Sequence, residues 1–513
     1  MQTIDSSLLR NVFFLLCAIA TLVGNASAFD VHVTVAVDKP GREVNRLILG
    51  NNVQWVDRGD ELITADGRQF QPQMLERARI LGPTVLRFPG GSMSDLYHWK
   101  DGIGEPAQRG LNEHFFSRQM QRVLMGTREF LELCESLGAE PLITVNTATA
   151  PPEEAAEWVD YVNRKGLRSS RTGRPLPRVR YWELGNEPYL RDDKQKRLWI
   201  APEAFAARAN AFIQAMRRVD PGIEIGVPLR SDRIGGVSAT PYPGYNEVVL
   251  RNISARFEFV ALHSAYLPLA FDKRYQDRDF LLAALAAPQT VAADFDATRR
   301  QLQQFKPGRT IKLAVTEYNA FFSHGGMPSD DYIASPAGAM YVADLLRLFT
   351  ETPDLLLANF WSLSGNWRFG AFAGNGRPRP AYHVLSAFHR VLRGRMLPVS
   401  IDAPGFNSPA VGFVPEQRGQ SKVTALATLD NGTTRAILIN KDPVSSAAVM
   451  LNVAGMESGR GKADSLVVEM PFDLKEGDDI FARRALEIRV VRGRMSIQLP
   501  ALSITVVELR AQR

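Results

Sequence analysis

Cysteine is nearly missing from this 513-residue chain, which has only Cys17 and Cys134. Cys17 falls in an apolar N-terminal run, so the rest of the chain holds one cysteine and no internal disulfide. Stability must come from burying a core. Histidine is scarce as well, with seven scattered copies. There is no HExxH and no CxxC, so no metal is implied, although a calcium-binding loop stays open. P-loop and dinucleotide glycine patterns are absent, and no cofactor is implied. Lys and Arg number 61 against 55 Asp and Glu, a net charge of +6. The basic residues are dispersed, without a run of five or six. That reads as solvated surface and excludes an electrostatic nucleic-acid platform, while leaving acidic polysaccharide as a partner that would suit the charge. Low-complexity tracts and short internal repeats are lacking, which excludes a solenoid. Past the N-terminus, no apolar stretch is long enough to span a bilayer.

What is present starts with a secretory pattern. Arg10 precedes the apolar run Val12 to Val23, and Ala26-Ser27-Ala28 supplies a small-residue cleavage site. Residues 1–28 therefore read as a signal peptide, with an uncleaved N-terminal anchor as the alternative. The expected location is secreted or periplasmic. Asn252-Ile253-Ser254 and Asn431-Gly432-Thr433 would be glycosylation acceptors only in a eukaryotic secretory pathway. Cys134 lies on the apolar stripe of an expected helix with Phe130, Leu131 and Leu137, which points to core packing.

The hydrophobic pattern divides the remainder. In FDVHVTVAVD, Val31, Val33, Val35 and Val37 alternate strictly, the mark of a strand with one buried face. Eight apolar runs follow, at Leu47–Asn51, Val85–Phe88, Pro141–Val145, Arg180–Gly185, Ile223–Val227, Phe259–His263, Ile311–Thr316 and Ala358–Ser362. Helical patterns lie between them, one opened by Thr127 as N-cap with Glu129 in its first turn and closed by Gly138. Alternating β and α units predict a (β/α)8 TIM barrel over residues 41–394. From about Met396 strands succeed one another, as in VTALATLD, RAILINKD, AAVMLNV, ALEIRVV, MSIQL and SITVVEL. Residues 395–513 thus read as a β-sandwich. The strand at residues 29–40 fits no barrel unit and is expected to join that sandwich.

In a parallel barrel, chemistry sits where the strands end. The fourth run continues as YWELGNEPYL, placing Glu187 at the rim. Pro188 biases the residue before it towards extended backbone. Asn186 beside it can bond a ligand hydroxyl. The seventh run reads IKLAVTEYNAFF and brings Glu317 to the rim. Two carboxylates across one barrel mouth are the equipment of glycosidic bond cleavage. Their mutual repulsion would keep one protonated while the other is ionised. Residues 183, 185 and 187 alternate onto one strand face, so Glu183 would point into the barrel beneath Glu187. A buried carboxylate needs partners, and Glu183 is read as supporting the site through a basic or polar neighbour. Trp361 could offer a sugar platform or pack the core.

Asn-Glu-Pro ending strand four, with a glutamate ending strand seven, resembles the clan-A retaining glycoside hydrolases. That resemblance implies Glu187 as acid/base and Glu317 as nucleophile. Two longer segments are similar to the α-L-arabinofuranosidase family of that clan: LRFPGGSMSDLYHWKDGIG, Leu86–Gly104, and GTREFLELCESLGAEPLITVNTATAPPEEAAEWVDYVN, Gly126–Asn163. The family resemblance implies that Arg87 holds Glu317 ionised, that Asn186 holds the sugar hydroxyl next to the anomeric carbon, and that His263 and Tyr266 line the sugar site. It implies a polysaccharide or oligosaccharide substrate.

The sequence also departs from the family. Gln54 stands where an acidic residue is usual after strand one, Ser92 where asparagine is usual, and the strand-six tyrosine is displaced by one position. These departures bear on which sugar is bound. YWELGNEP also resembles heparanase-like β-glucuronidases, and Thr-Glu-Tyr-Asn resembles the β-xylosidase and iduronidase family. A glycosidase of either kind stays open, as do a non-catalytic carbohydrate-binding relative and an envelope adhesion protein.

Overall fold

The computed structural model describes residues 28–190, 193–231, 242, 244–270, 275–320 and 333–512. Nearly all of the expected signal segment lies outside the described residues. The first element is β1 (Phe29–Ala36), with Val31, Val33 and Val35 at most 2% exposed. Eight parallel strands then form a closed barrel. They begin with β2 (Gly50–Asn52) and β3 (Val85–Phe88). A small antiparallel hairpin of β4 (Leu111–Glu113) and β5 (Met120–Arg122) intervenes. The barrel continues with β6 (Glu140–Val145), β7 (Tyr181–Leu184), β8 (Glu224–Pro228) and β9 (Phe259–Leu262). After the two-residue β10 (Ala265–Tyr266) come β11 (Lys312–Asn319) and β12 (Leu355–Phe360). Closure is by β9 against β11 and β12 against β2. Strands covered on both faces read as apolar runs, which is why β9 and β12 are buried throughout.

Each barrel strand is followed by a helix: α1 (Pro72–Leu81), α2 (Thr127–Leu137), α3 (Pro152–Val159), α4 (Pro202–Val219), α5 (Tyr245–Asn252), α6 (Asp277–Phe305), α7 (Pro336–Glu351) and α8 (Pro380–Val391). Three local readings need correction. The N-cap of α2 is Gly126, not Thr127, because the Glu129 carboxylate turns back to accept the Gly126 amide at 3.0 Å. Thr127 instead accepts the indole N–H of Trp158 at 3.0 Å. Strand one starts at Gly50 because Asn45 caps a short 3-10 turn over Arg46–Ile48. Strand eight ends at Phe360, since Ser362 already bonds the returning loop at Phe369.

Beyond the barrel lie β13 (Arg395–Leu397) and β14 (Val399–Asp402), then a separate pair, β15 (Gly405–Ser408) and β16 (Gln417–Ser421). Seven strands complete the domain: β17 (Val423–Asp430), β18 (Thr433–Asn440), β19 (Ala447–Ala454), β20 (Ser458–Val467), β21 (Ala482–Val491), β22 (Arg494–Leu499) and β23 (Ser503–Ala511). They run β13-β17-β18-β23-β20-β21-β22-β19-β1-β14 in one hydrogen-bonded sheet. The β domain is therefore one continuous sheet folded over a common core, in which Val33, Leu397, Ala425, Leu438, Val449 and Val507 meet. β1 pairs in parallel with β19, Val31 beside Val449, and antiparallel with β14, so the start of the described chain is built into the C-terminal domain.

A buried ionic cluster joins the two domains. Asp344 of α7 accepts from Arg347 at 2.6 Å, from Thr424 of β17 at 2.8 Å and from Lys441, just after β18, at 3.1 Å. Burial works against the Asp344 charge, but Arg347 and Lys441 outweigh it and hold the carboxyl well below the usual range. Removing one member leaves the other charges buried and unpaired. Asp344→Ala is therefore expected to destabilise the protein by about 3–5 kcal/mol, read as a lowered midpoint in thermal or urea unfolding.

Candidate active site

The strand ends converge on one mouth. Arg87, on β3, is fully buried, and each of its guanidinium nitrogens has an acceptor there. Nε donates to Glu183 at 2.5 Å, Nη1 to Asn52 at 3.0 Å and to Glu317 at 2.8 Å, and Nη2 to the Asn186 side-chain oxygen at 3.0 Å. Four residues from three strands, Asn52 of β2, Glu183 and Asn186 on and just after β7, and Glu317 of β11, are thus ordered by one planar fork, a geometry that a lysine would not reproduce.

Glu183 lies beside Thr144 and Gly226 in the β6–β7–β8 register and is completely buried. Its oxygens accept hydroxyls from Thr144 at 2.7 Å and Thr316 at 2.8 Å. Burial pushes this carboxyl up, but the Arg87 and His263 charges and the hydrogen bonds more than compensate, and it stays below the ordinary range.

Glu187 does not adopt the extended backbone expected before a proline. Its φ is 43°, in the left-handed region, two residues after Gly185 at φ 72°. Pro188 bars the right-handed helical conformation. The chain takes the left-handed alternative because the Glu187 carbonyl accepts the Leu190 amide at 2.8 Å and closes a tight turn. Such a conformation costs roughly 1–3 kcal/mol for a non-glycine residue. Here it tips the carboxylate over the mouth, where Oε1 lies 2.9 Å from His263 Nδ1 and 3.4 Å from the Tyr189 hydroxyl.

His263, one residue beyond β9, joins the carboxylates. Nδ1 lies 2.9 Å from Glu187 and 3.9 Å from Glu317, so the two carboxylates approach a single nitrogen. Nε2 bonds the Thr316 hydroxyl at 2.9 Å, and through it reaches Glu183. Burial opposes the imidazolium, but Glu317 and Glu187 raise the His263 pKa above its ordinary value. Glu317 also accepts the Tyr266 hydroxyl at 2.9 Å. Burial pushes the Glu317 carboxyl up and Glu187 adds to this; His263, Arg87 and Tyr266 pull it back without cancelling the rise.

The residues singled out in sequence therefore come together at one place: Glu187, Glu317, Arg87, Asn186, His263, Tyr266 and, below them, Glu183. Trp361 lies beyond the end of β12 and is 7% exposed, with its ring edge facing Gly91. Gly91 itself was not singled out. A Cβ there would stand 2.5 Å from Glu317 Oε1, 3.2 Å from Trp361 and 3.4 Å from the Asn186 side-chain oxygen. The paired glycines of Arg-Phe-Pro-Gly-Gly are the signal of that close approach. Gln54 is buried and gives both its backbone and side-chain N–H to Asp60, each at 2.9 Å.

A cleft of about 660 Å³ opens beside Glu187. Ser92, Asp95, Thr147, Asn186 and Glu187 give its polar wall, and Phe115, Leu198, Trp199 and Phe205 its apolar one. Asp95 accepts the Asn186 amide at 3.4 Å, and burial pushes its carboxyl up to about 8. Nothing in the local sequence marks Asp95, which acquires its environment from the Glu187 turn.

Residues 78–233 match the family model described as alpha-L-arabinofuranosidase 1 domain. Alpha-L-arabinofuranosidase C of Emericella nidulans is 35% identical over 180 residues, 33% of this chain and 34% of that one. The chain thus spans about a third of the length of that relative. The intracellular exo-alpha-(1->5)-L-arabinofuranosidase of Bifidobacterium longum is 24% identical over 94% of this chain and 93% of its own. In fold, an α-L-arabinofuranosidase of Thermotoga maritima crystallised with arabinose superposes with a TM-score of 0.78 at 20% identity, covering 93% of this chain and 99% of that one. The chain resembles the α-L-arabinofuranosidases. The fold likeness extends over barrel and β domain together, whereas the family-model match is confined to residues 78–233, the segment carrying Arg87, Gly91, Glu183 and Glu187.

Proposed function

We propose that this protein is a retaining glycoside hydrolase that removes terminal α-L-arabinofuranosyl residues from polysaccharide or oligosaccharide. One observation carries the reading: Glu187 and Glu317 converge on one histidine nitrogen at a barrel mouth, with Arg87 fixed on Glu317. Oxygens 2.9 and 3.9 Å from one nitrogen lie at most 6.8 Å apart, a bound that accommodates the short spacing of the retaining arrangement.

Each group has a definite task. Ionised Glu317 attacks the anomeric carbon as the bond to the leaving oxygen breaks, and protonated Glu187 gives its proton to that oxygen. A glycosyl ester of Glu317 results. Water then attacks the same carbon, Glu187 takes the water proton, and Glu317 is released as carboxylate. Arg87 and Tyr266 orient and neutralise the nucleophile. His263 answers to the charge on both carboxylates, and Asn186 is placed for the hydroxyl beside the anomeric carbon. With Glu187 protonated, its repulsion on Glu317 vanishes and the nucleophile ionises more readily. Export of the chain through residues 1–28 is part of this proposal and rests on the sequence pattern alone.

The test is a panel of aryl glycosides: α-L-arabinofuranoside, β-xyloside, β-glucuronide, β-glucoside and β-galactoside. Turnover of the arabinofuranoside is expected. Turnover of a uronide or pyranoside in its place would overturn the sugar assignment and show that Gln54 and Ser92 accompany a different pocket. Inactivity on all, and on intact arabinose-bearing polysaccharide, would overturn the enzyme reading. A steric prediction accompanies it. Gly91→Ala, which forces the nucleophile aside, should lower kcat on the active substrate by on the order of 100-fold while the unfolding midpoint is nearly unchanged.

A further inference from the structure

The outward charges of the β domain are paired in one cross-strand row and unpaired in the next. Lys462 of β20 stands directly opposite Glu487 of β21 and Glu508 of β23, and Glu508 stands opposite Arg435 of β18. Signs alternate across these four strands, as side chains facing each other in a sheet require. Two residues back along β20 the alternation breaks. Arg460 stands directly opposite both Arg489 of β21 and Arg510 of β23. All three are exposed, while Val490 and Leu509 beside them point inward and are buried. The turn into β22 adds Arg492 and Arg494, also exposed, the latter opposite Val491. Glu457 lies in the neighbouring β19–β20 connection. Among the described residues, however, no carboxylate forms an ion pair with any of these arginines, and Arg510 Nε donates to the Thr433 hydroxyl at 3.1 Å. Like charges directly opposite destabilise a sheet, so the row costs the fold stability and answers to something other than folding.

The row lies away from the catalytic mouth. Arg460, Lys462, Asp464 and Leu466 share one face of β20, and Leu466 packs with Ile504 of β23 and Ile439 of β18 into the core of the barrel. The arginines are therefore on the barrel side of the sheet, where its strands have left the barrel's cover. α7 follows β11 and so starts at the mouth end. Its Ala337 amide bonds the Pro471 carbonyl at 2.8 Å, beyond the C-terminal end of β20. At the other end of the sheet, the Thr428 hydroxyl bonds the Val391 carbonyl at 2.7 Å, at the C-terminus of α8. Thr428 shares the register row of Lys462, so Arg460 lies one row further still from the mouth.

We propose that Arg460, Arg489 and Arg510 form a docking site for an acidic polysaccharide, taking its uronate carboxylates in a row across three strands. Neighbouring strands lie about 4.8 Å apart. The guanidinium groups thus offer a linear series of charge that a polymer with carboxylates at regular intervals can follow, and Arg492 and Arg494 extend it. A guanidinium receives a carboxylate through two parallel N–H groups, and the net charge of +6 favours the approach of a polyanion. The choice of a polysaccharide among polyanions rests on the proposed function. Because the site is remote from the mouth, polymer held there leaves the cleavage site free and raises the local concentration of sugar ends around it.

The test is electrophoresis of the full chain through native gels containing polygalacturonate, with a neutral arabinan or duplex DNA in its place as comparison. Retardation by polygalacturonate is expected, weakening as salt is added. The triple variant Arg460→Thr, Arg489→Thr, Arg510→Thr should bind on the order of tenfold more weakly. A second triple, Arg174→Gln, Arg218→Gln, Arg300→Gln, removes the same charge from exposed positions elsewhere and should bind nearly as wild type does. Equal weakening in both triples would reduce the effect to net charge and overturn the site. Wild-type protein that polygalacturonate does not retard, or that DNA retards more strongly, overturns it as well. Turnover of a nitrophenyl arabinofuranoside should be the same in wild type and both triples. At low salt the unfolding midpoint of Arg460→Thr should rise, because repulsion across β20 is relieved; a fall would show that the row serves the fold and would overturn the inference. Retardation needs no turnover, so inactivity on every glycoside would fail the proposed function while the gel alone decides the docking site.

Discussion

Glu317→Gln is expected to lower turnover of the active glycoside by a factor on the order of 10⁵, without a comparable loss of stability. The amide is nearly isosteric with the carboxylate: its oxygen can still accept from Arg87, and its NH2, in place of the other oxygen, can donate to the Tyr266 hydroxyl. It cannot form the glycosyl ester. The surroundings tie Glu317 to pH in a definite direction. Its carboxyl is raised above its ordinary value by burial and by Glu187, against the pull of His263, Arg87 and Tyr266. A nucleophile must be ionised, so activity should fall on the acid side; burial pushes that limb up, while protonation of Glu187 removes its own share of the rise. Removing a group that pulls the value down moves that limb further up, as Tyr266→Phe should show. The measurement is kcat/KM against pH for wild type and both variants. Wild-type turnover in Glu317→Gln would remove Glu317 as nucleophile.

Much of the architecture was legible because barrel strands announce themselves as short apolar runs. All eight runs became strands, and the change to successive strands near Met396 marks the β domain. What the runs did not carry was their ends. Leu47 is apolar and looks like strand, but Asn45 caps a turn across it. Ser362 looks like the end of strand eight, but its amide bonds the returning loop. Capping and loop return are set by single polar groups, which hydrophobic periodicity does not register. That the β domain runs as one continuous hydrogen-bonded sheet was likewise unreadable, because alternation reports a buried face and not which neighbour completes the ladder.

At the site, residues with strong local signals were found and residues with ordinary ones were not. Glu317 and Arg87 interrupt apolar strands, and Glu187 follows one in Asn-Glu-Pro, so all three stand out. Asn52, Thr144 and Thr316 are small polar residues of a kind found in any strand. They matter because the closed barrel points them at Arg87 and Glu183. Gly91 was visible within a glycine pair, yet its neighbour Glu317 lies 226 residues away in sequence, so the close approach exists only in three dimensions. The left-handed turn at Glu187 runs against the usual bias before proline. It is held by the Leu190 amide and by His263, both placed by the fold. Local preference is overridden where the geometry of two carboxylates requires it, which is where functional sites store strain.

Glu187→Ala gives the complementary expectation, and its pattern is more informative than its size. The acid is needed in proportion to the basicity of the leaving oxygen. An arabinofuranoside with a poor leaving group, such as an alkyl alcohol or another sugar, should lose on the order of 10³-fold in kcat/KM. A dinitrophenyl glycoside departs without help and should keep most of its first step. For that substrate the second step suffers, because no base remains to take the proton from water. The glycosyl ester on Glu317 should accumulate, seen as a burst of nitrophenolate and as added mass on the intact protein. A small anionic nucleophile such as azide needs no base and fits the space the carboxylate vacates, so it should restore turnover and yield a glycosyl azide of retained configuration. Equal losses across leaving groups, with no burst and no rescue, would mean that Glu187 orients the site through His263 and is not the proton donor.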